Sequence, residues 1–399
     1  MNNENRMTKP ELHSSLSLAM VFFLRMLGLF LVLPVFALYA EHLRYATPTL
    51  TGIALGCYGL SQALFQIPFG MLSDRIGRKQ VIVTGLLIFI AGSIIAALAD
   101  SIYWVIVGRA LQGTGAIAAA IMALAADLTR ENQRSKAMAL IGISVGIAFM
   151  LAFVAGPSLN PLIGVPGLFI MAAVLAGLAI FILITVVPTP DPANIQHREH
   201  QPVLKDLLHV VFDKSLVKFN LSIFVLHMLL VASFISIPLT LRDSTGLPPS
   251  IHWHIYLPVL LISGFLMLPF LYYGEKYKKV NIFFAGGIIL MMLAQFGFYF
   301  WHSTMEIFLL LTMFFLSFNY LEATLPALIS KSAPPAKKGA ALGVFSTSQF
   351  IGAFIGGLTG GHIYGRFGLS SVFVFGGFVS LVWLITILFM QNPMEHNRL

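Results

Sequence analysis

Gly70-Met71-Leu72-Ser73-Asp74-Arg75-Ile76-Gly77-Arg78-Lys79 places four charged side chains within six positions, and the sequence turns apolar on either side of it. A helix of about twenty apolar residues crosses a hydrocarbon core of roughly 30 Å. The stretch therefore reads as a short polar turn between two membrane spans, 49–73 and 80–99. Glycine supplies the backbone freedom that a tight reversal needs. The charged groups around it can pair with helix ends or with a neighbouring carboxylate. Asp127, at the same-side end of the fourth span, is placed to be that carboxylate, and Arg134 lies in the loop that follows it.

Outward from this turn the alternation repeats along the whole chain. Twelve apolar runs lie near 14–40, 49–73, 80–99, 102–126, 137–157, 164–188, 216–242, 251–274, 280–301, 303–331, 338–364 and 370–391. Of the 399 residues, 58% are hydrophobic and 10% charged, where soluble domains hold roughly 25% charged residues. A soluble enzyme, a disordered chain and a disulfide-stapled domain are poor fits, and the single cysteine, Cys57, allows no internal disulfide. The net charge of +8 is spread between the apolar runs. It forms no basic groove of the kind nucleic acid requires, so no nucleic-acid partner is expected. The polar segment 1–13 followed by a long apolar run leads us to expect no cleavable signal peptide.

With the N-terminus inside, nineteen Lys and Arg fall on the cytoplasmic side and three, Arg44, Arg242 and Arg366, on the other. Cytoplasmic loops are enriched in these residues, so both termini are expected in the cytoplasm. The longest polar stretch, 189–215, follows the sixth span and includes Pro190, Pro192, His197 and Arg198. It divides the chain into expected six-helix bundles at 1–188 and 216–399, joined by a cytoplasmic linker. An internal repeat agrees. At an offset of 201, Pro68-Phe69 matches Pro269-Phe270, Asp74-Arg75 matches Glu275-Lys276, and Arg78 matches Lys279. At the same offset Gly142, Phe149, Ala152, Phe153 and Gly156 fall on Gly343, Phe350, Ala353, Phe354 and Gly357. Two copies of six spans point the same way across the membrane, an arrangement used by transporters that bind substrate near the bilayer midplane.

Position for position, Gly70 to Lys79 resembles the G-x-L-x-D-R-x-G-R-K loop of the major facilitator superfamily. The resemblance implies an all-α membrane protein of twelve transmembrane helices in two parallel six-helix halves. It also implies a conformational latch on the cytoplasmic side built from Gly70, Asp74, Arg75, Gly77, Arg78, Lys79, Asp127 and Arg134. The second-half copy keeps charge but lacks the glycine, so any latch there is expected to be weaker. Gly108-Arg109 to Gln112-Gly113 and Gly115 in span 4 are similar to the family's motif associated with proton coupling. Arg109 reads equally well as a structural tie between span 4 and a neighbour. Gly146, Gly156 and Pro157 in span 5 resemble the helix-packing motif of antiporters, with Ala152 where a glycine is expected and Asn160-Pro161 in place of a glycine pair. The resemblance extends over essentially the whole chain and is strongest to the drug:proton antiporter group. One bacterial inner-membrane member of that group has a soluble domain after its last span. This chain stops at Leu399, so that domain is expected to be either absent or removed.

Charges inside the spans are expensive unless they face water or a partner. Arg25 lies in span 1 and Arg109 in span 4, and Glu322 in span 10 is the one carboxylate well inside the apolar runs. Glu322 is accordingly the expected proton carrier, with Arg25, Arg109 and His227 of span 7 as further proton-coupling residues; packing and ion pairing are their structural alternatives. Tyr58, Gln62 and Gln66 recur every four residues on one helical face. With Gln112, Asn319, Ser346 and Gln349 they are the expected lining of a substrate cavity, although amides and hydroxyls also join helices.

No nucleotide-binding loop or metal-ligand cluster is visible in the sequence, so neither ATPase activity, cofactor nor metal is expected. The reading is a proton-coupled, alternating-access transporter in the bacterial inner membrane, acting as an efflux antiporter. Its expected partners are a small-molecule substrate, protons and the lipid bilayer, and the chain is expected to be monomeric. Proton-coupled uptake and a non-transporting receptor are the alternatives.

Overall fold

A computed structural model describes residues 6–189, 210–300, 303–334 and 337–390. Of the linker read at 189–215, residues 190–209 lie outside the described residues. Those residues hold no strand; Arg44 and Ser101 form an isolated bridge. The helices are α1 (Lys9–Phe30), α2 (Phe36–Ala40), α3 (Pro48–Ile76), α4 (Arg78–Ala97), α5 (Ile102–Thr114), α6 (Ala118–Asp127) and α7 (Arg134–Thr185). They continue with α8 (Lys214–Thr245), α9 (Trp253–Lys276), α10 (Val280–Phe300), α11 (Thr304–Ser332), α12 (Lys338–Phe367) and α13 (Leu369–Phe389).

Eleven helical segments among these are long and apolar enough to cross a membrane. Spans 5 and 6 form one of them, because α7 continues through a kink at Gly164, whose φ of 67° and ψ of 173° are non-helical. Pro161 and Pro166 flank that glycine. Each proline removes a backbone donor, and glycine accepts the positive φ without a Cβ clash. Large apolar side chains stand exposed on the helix exteriors, among them Leu87, Val174, Phe265 and Phe389. Lipid contact accounts for such surfaces, and the chain is an all-α multi-pass membrane protein.

Spans 1 and 4, read from sequence as unbroken, are each interrupted. Span 1 leaves the helix after Phe30. Leu33 and Val35 bond three residues back, to Phe30 and Val32, and Gly156 of α7 approaches so closely that a Cβ on it would stand 2.3 Å from the Leu31 carbonyl. Span 4 breaks between α5 and α6. Gly115 there has ψ of 52°, and a Cβ on it would stand 2.3 Å from the Gly85 carbonyl of α4. A close backbone approach with weak local helix preference opens the ladder at this point.

By contacts the chain forms two compact units, Met1–Ala46 with Leu60–Gln201 and Thr47–Gly59 with Pro202–Leu399. In the first, α1 packs on α7, and α4 packs on α5 and α7. Gly92 and Gly108 meet where α4 crosses α5: a Cβ on either would fall 2.5 or 2.6 Å from the other's carbonyl. In the second unit α8 is the most buried span. It packs along α12, where Cβ atoms on Gly352 and Gly356 would stand 2.1 and 2.2 Å from the carbonyls of Phe224 and Met228. The Trp383 indole of α13 donates to Ser222 of α8 at 3.0 Å. The opening segment of α3 belongs to this unit through Gly52, where a Cβ would stand 2.0 Å from the Gly357 carbonyl.

Candidate functional site

The reversal between α3 and α4 is made by Gly77 alone, with φ of 107°. A side chain there would be forced into the left-handed region. Gly70 lies inside α3, facing Ala119 of α6. Starting α4 at Arg78 brings its guanidinium among three acceptors. Nε donates to Asp127 Oδ2 at 3.1 Å and Nη1 donates to Ser73 Oγ at 2.7 Å, and Asp74 pairs with it one turn back on α3. Ser73 in turn donates to the Gly70 carbonyl at 2.7 Å. Lys79 donates to the Val187 carbonyl, and Arg134 Nε to the Ala126 carbonyl at 3.3 Å. Arg75 is exposed. Asp74 and Asp127 thus flank one guanidinium whose side chain is 16% exposed.

Two further arginines are buried in the first unit. Arg25 is fully buried; its Nη2 donates to the Gly115 carbonyl at 2.9 Å and to Gln62 Oε1 at 3.1 Å, and its guanidinium lies 5.6 Å from the centre of the Phe89 ring. The break in span 4 frees the carbonyl that Arg25 takes. Arg25 of span 1 is thus tied to a backbone carbonyl of span 4. Arg109 donates to Gln112 Oε1 at 3.0 Å, and Gln112 Nε2 donates to Ser93 of α4 at 2.7 Å. Gln62 and Gln112, read as cavity residues, are almost completely buried within these networks. Gln66 is buried on the same face as Gln62. Of the packing-motif glycines, Gly156 makes the close approach to Leu31, whereas a Cβ on Gly146 would meet no described atom within 4 Å.

The second unit holds the carboxylate. His227 of α8 donates from Nδ1 to the Ile223 carbonyl at 3.3 Å, and its Nε2 accepts from Gln349 Nε2 of α12 at 2.8 Å. These bonds fix one neutral tautomer. Gln349 Nε2 also donates to Glu322 Oε1 of α11 at 3.3 Å. Glu322 Oε2 lies 3.8 Å from His227 Nδ1 and, though buried, has no hydrogen bond among the described residues. Three helices thus bring an acid, an imidazole and an amide together. Asn319, one turn before Glu322, donates to Ser263 Oγ of α9 at 3.2 Å. Tyr58 meets the Phe350 ring edge-on at 6.4 Å, and Ser346 is half-buried on α12.

A partly buried ion pair also escaped the sequence reading, which counted Arg130 among the cytoplasmic charges. Glu11 is buried at the start of α1 and accepts from Arg130 Nε at 2.8 Å, Arg130 Nη2 at 3.0 Å and the Arg130 backbone N–H at 2.9 Å. The signal was Thr8-x-x-Glu11 ahead of an apolar run, a capping box, and both of its bonds form.

These features define a membrane transport protein built on paired helical bundles. The Major Facilitator Superfamily model matches residues 18–241 and 219–399, and the chain belongs to that family. It is 46% identical over 397 residues to the inner membrane transport protein YajR of Escherichia coli K12, a match that takes in 98% of this chain and 86% of the relative. It is 26% identical over 355 residues to the multidrug resistance protein MdtH of Proteus mirabilis, covering 85% of this chain and 84% of the other. A bacterial homologue of the human lysosomal transporter Spinster superposes with a TM-score of 0.75 at 15% identity, over 96% of this chain and 95% of that one. The chain is a transporter of a small-molecule substrate and not an enzyme.

Proposed function

We propose that the chain is a proton-coupled antiporter working by alternating access, which exports small lipophilic or drug-like molecules across a bacterial inner membrane in exchange for entering protons. In this reading it acts as a monomer with both termini cytoplasmic and bundles at 1–188 and 216–399. The observation that carries the reading is the Glu322, His227 and Gln349 cluster. Glu322 Oε2 has no donor among the described residues, so it can take a proton without displacing one, and the His227 imidazole stands beside it. A carboxylate inside a membrane span is costly to carry between the two faces while charged. The conformational step is favoured once a proton or a cationic group of the substrate has neutralised it, which ties the two fluxes together. Efflux of drug-like molecules is supported by the resemblance to MdtH. The Arg78, Asp74 and Asp127 group acts as the latch, a set of contacts that forms in one conformer and biases the equilibrium without touching substrate.

The test is flux in proteoliposomes, using compounds selected by thermal shift on the purified protein. Accumulation driven by an acid interior is the expected result. Accumulation driven by an acid exterior would show uptake together with protons, and binding without proton-linked flux would show a receptor.

A further inference from the structure

The turn between α9 and α10 is the second-half counterpart of the Gly77 turn. At the 201-residue offset Lys278 occupies the place of Gly77, and both have positive φ, 54° and 107°. The first turn's charges are engaged by Ser73, Asp127 and the Val187 carbonyl. The second turn's are not. Lys276, Lys278 and Lys279 are exposed, and their side chains make no hydrogen bond or ion pair with another described residue. Glu275 beside them is paired with Lys331 at 3.4 Å. A lysine in the left-handed region suffers a Cβ clash that glycine avoids, yet three ammonium groups are held here at the end of a span.

Their surroundings have the shape of an amphiphile. Lys276 stands 5.2 Å from the centre of the Tyr272 ring and 5.7 Å from that of Tyr277. Phe265, Leu268, Tyr272 and Lys276 follow one another along a single face of α9 at helical spacing, and the first three are 71%, 52% and 58% exposed. From Phe265 to Lys276 this face runs about 16 Å at 1.5 Å per residue, close to one leaflet of a roughly 30 Å core. It begins apolar, passes through an aromatic ring of the kind that sits at headgroup level, and ends in clustered positive charge, which attracts anionic lipid.

We propose that this face is a binding site for an anionic phospholipid, its phosphate held by Lys276, Lys278 and Lys279 and an acyl chain lying along Tyr272, Leu268 and Phe265.

The test reconstitutes the full chain in bilayers of phosphatidylcholine and in an equal mixture of phosphatidylcholine and phosphatidylglycerol. The melting temperature should be higher in the mixture, and native mass spectrometry should find phosphatidylglycerol retained. Lys276→Gln/Lys278→Gln/Lys279→Gln should lose about half or more of that shift and the retained lipid, while the charge-matched control Lys9→Gln/Arg44→Gln/Arg366→Gln should keep both. Equal loss in the two triple variants would show a general field effect and overturn the site, as would no loss in either. Inorganic phosphate reproducing the shift in pure phosphatidylcholine would overturn the lipid assignment. Should the triple variant fail to fold, Lys278→Gly keeps the proposal testable. It relieves the backbone, so it should melt higher in phosphatidylcholine and still gain less from phosphatidylglycerol; an undiminished gain would count against the site.

Discussion

The two units treat charge inside the spans in opposite ways. In the first, Arg25 and Arg109 are buried, and both donate to uncharged acceptors: a backbone carbonyl and two glutamine oxygens. In the second, Glu322 meets an imidazole and a single amide donor, and one of its oxygens stays without a bond. A guanidinium cannot give up its proton in a protein, and its planar fork suits a fixed position between helices. A carboxylate and an imidazole can both change protonation. The first unit thus holds its cations on uncharged acceptors, and the second holds a carboxylate beside an imidazole.

The largest expected effect breaks the second unit's side of this contrast. Glu322→Gln preserves size and polarity and removes the titratable group. Flux driven by a pH gradient should fall at least about tenfold, a barrier change of roughly 1.4 kcal/mol or more, with substrate binding retained by thermal shift. Undiminished pH-driven flux would remove Glu322 as the carrier. His227→Gln should reduce the same flux less, since the imidazole assists exchange at Oε2; a loss equal to that of Glu322→Gln would make the pair one inseparable site.

Arg25→Gln tests the first unit's side. The shorter side chain cannot span to both Gly115 and Gln62, which leaves a carbonyl at the break in span 4 without its donor. Stability should fall by about 1–3 kcal/mol, read as a lower melting temperature, while the pH at half-maximal flux stays unchanged. A shifted pH profile with normal melting would instead make Arg25 a coupling residue that favours ionised Glu322.

Sequence made the loop legible, because Asp74, Gly77, Arg78 and Lys79 act through their local spacing and through Asp127 at a helix end. The span count and the family were equally open, since apolar length and that loop alone determine them. The break in span 4 was hidden. Gly113 and Gly115 read as small residues for close packing, and small residues serve that purpose as readily inside an intact helix as at a broken one. For the same reason the Gly115 carbonyl could not be foreseen as the partner of Arg25. Gln62 and Gln112 showed their polar faces but not their destination, because a buried glutamine bonded to arginine and one lining a cavity share the same periodicity. The meeting of His227 with Glu322 and Gln349 joins α8 to the consecutive helices α11 and α12, and such contacts between helices are not encoded in spacing along one helix.

A third prediction compares the ion pairs of the two turns. Asp127→Asn removes a partner of Arg78 whose side chain is 19% exposed. It should cost about 1–2 kcal/mol in the conformer that forms the pair, slow turnover several-fold, and alter spin-label distances across that end of the first unit. Glu275→Gln breaks a pair whose side chains are 67% and 73% exposed, and should change stability by less than about 0.5 kcal/mol. Identical distance distributions in Asp127→Asn and the parent protein would reduce Arg78 to a topological charge.

The remaining contrast concerns the backbone of the same two turns. Gly77 and Lys278 both have positive φ, but only the first has the residue that adopts it freely. Gly77→Ala should therefore destabilise by about 1 kcal/mol, and Lys278→Gly should stabilise by less than that. The gain is the smaller of the two because glycine also adds conformational freedom to the unfolded chain, offsetting part of the relief. Melting temperatures of the two single variants give the signs directly. Opposite signs mean that the repeat kept the turn's geometry while changing the residue that makes it. If both variants destabilise, Lys278 is held by contacts strong enough to outweigh its backbone, and the second turn is no longer a relaxed copy of the first.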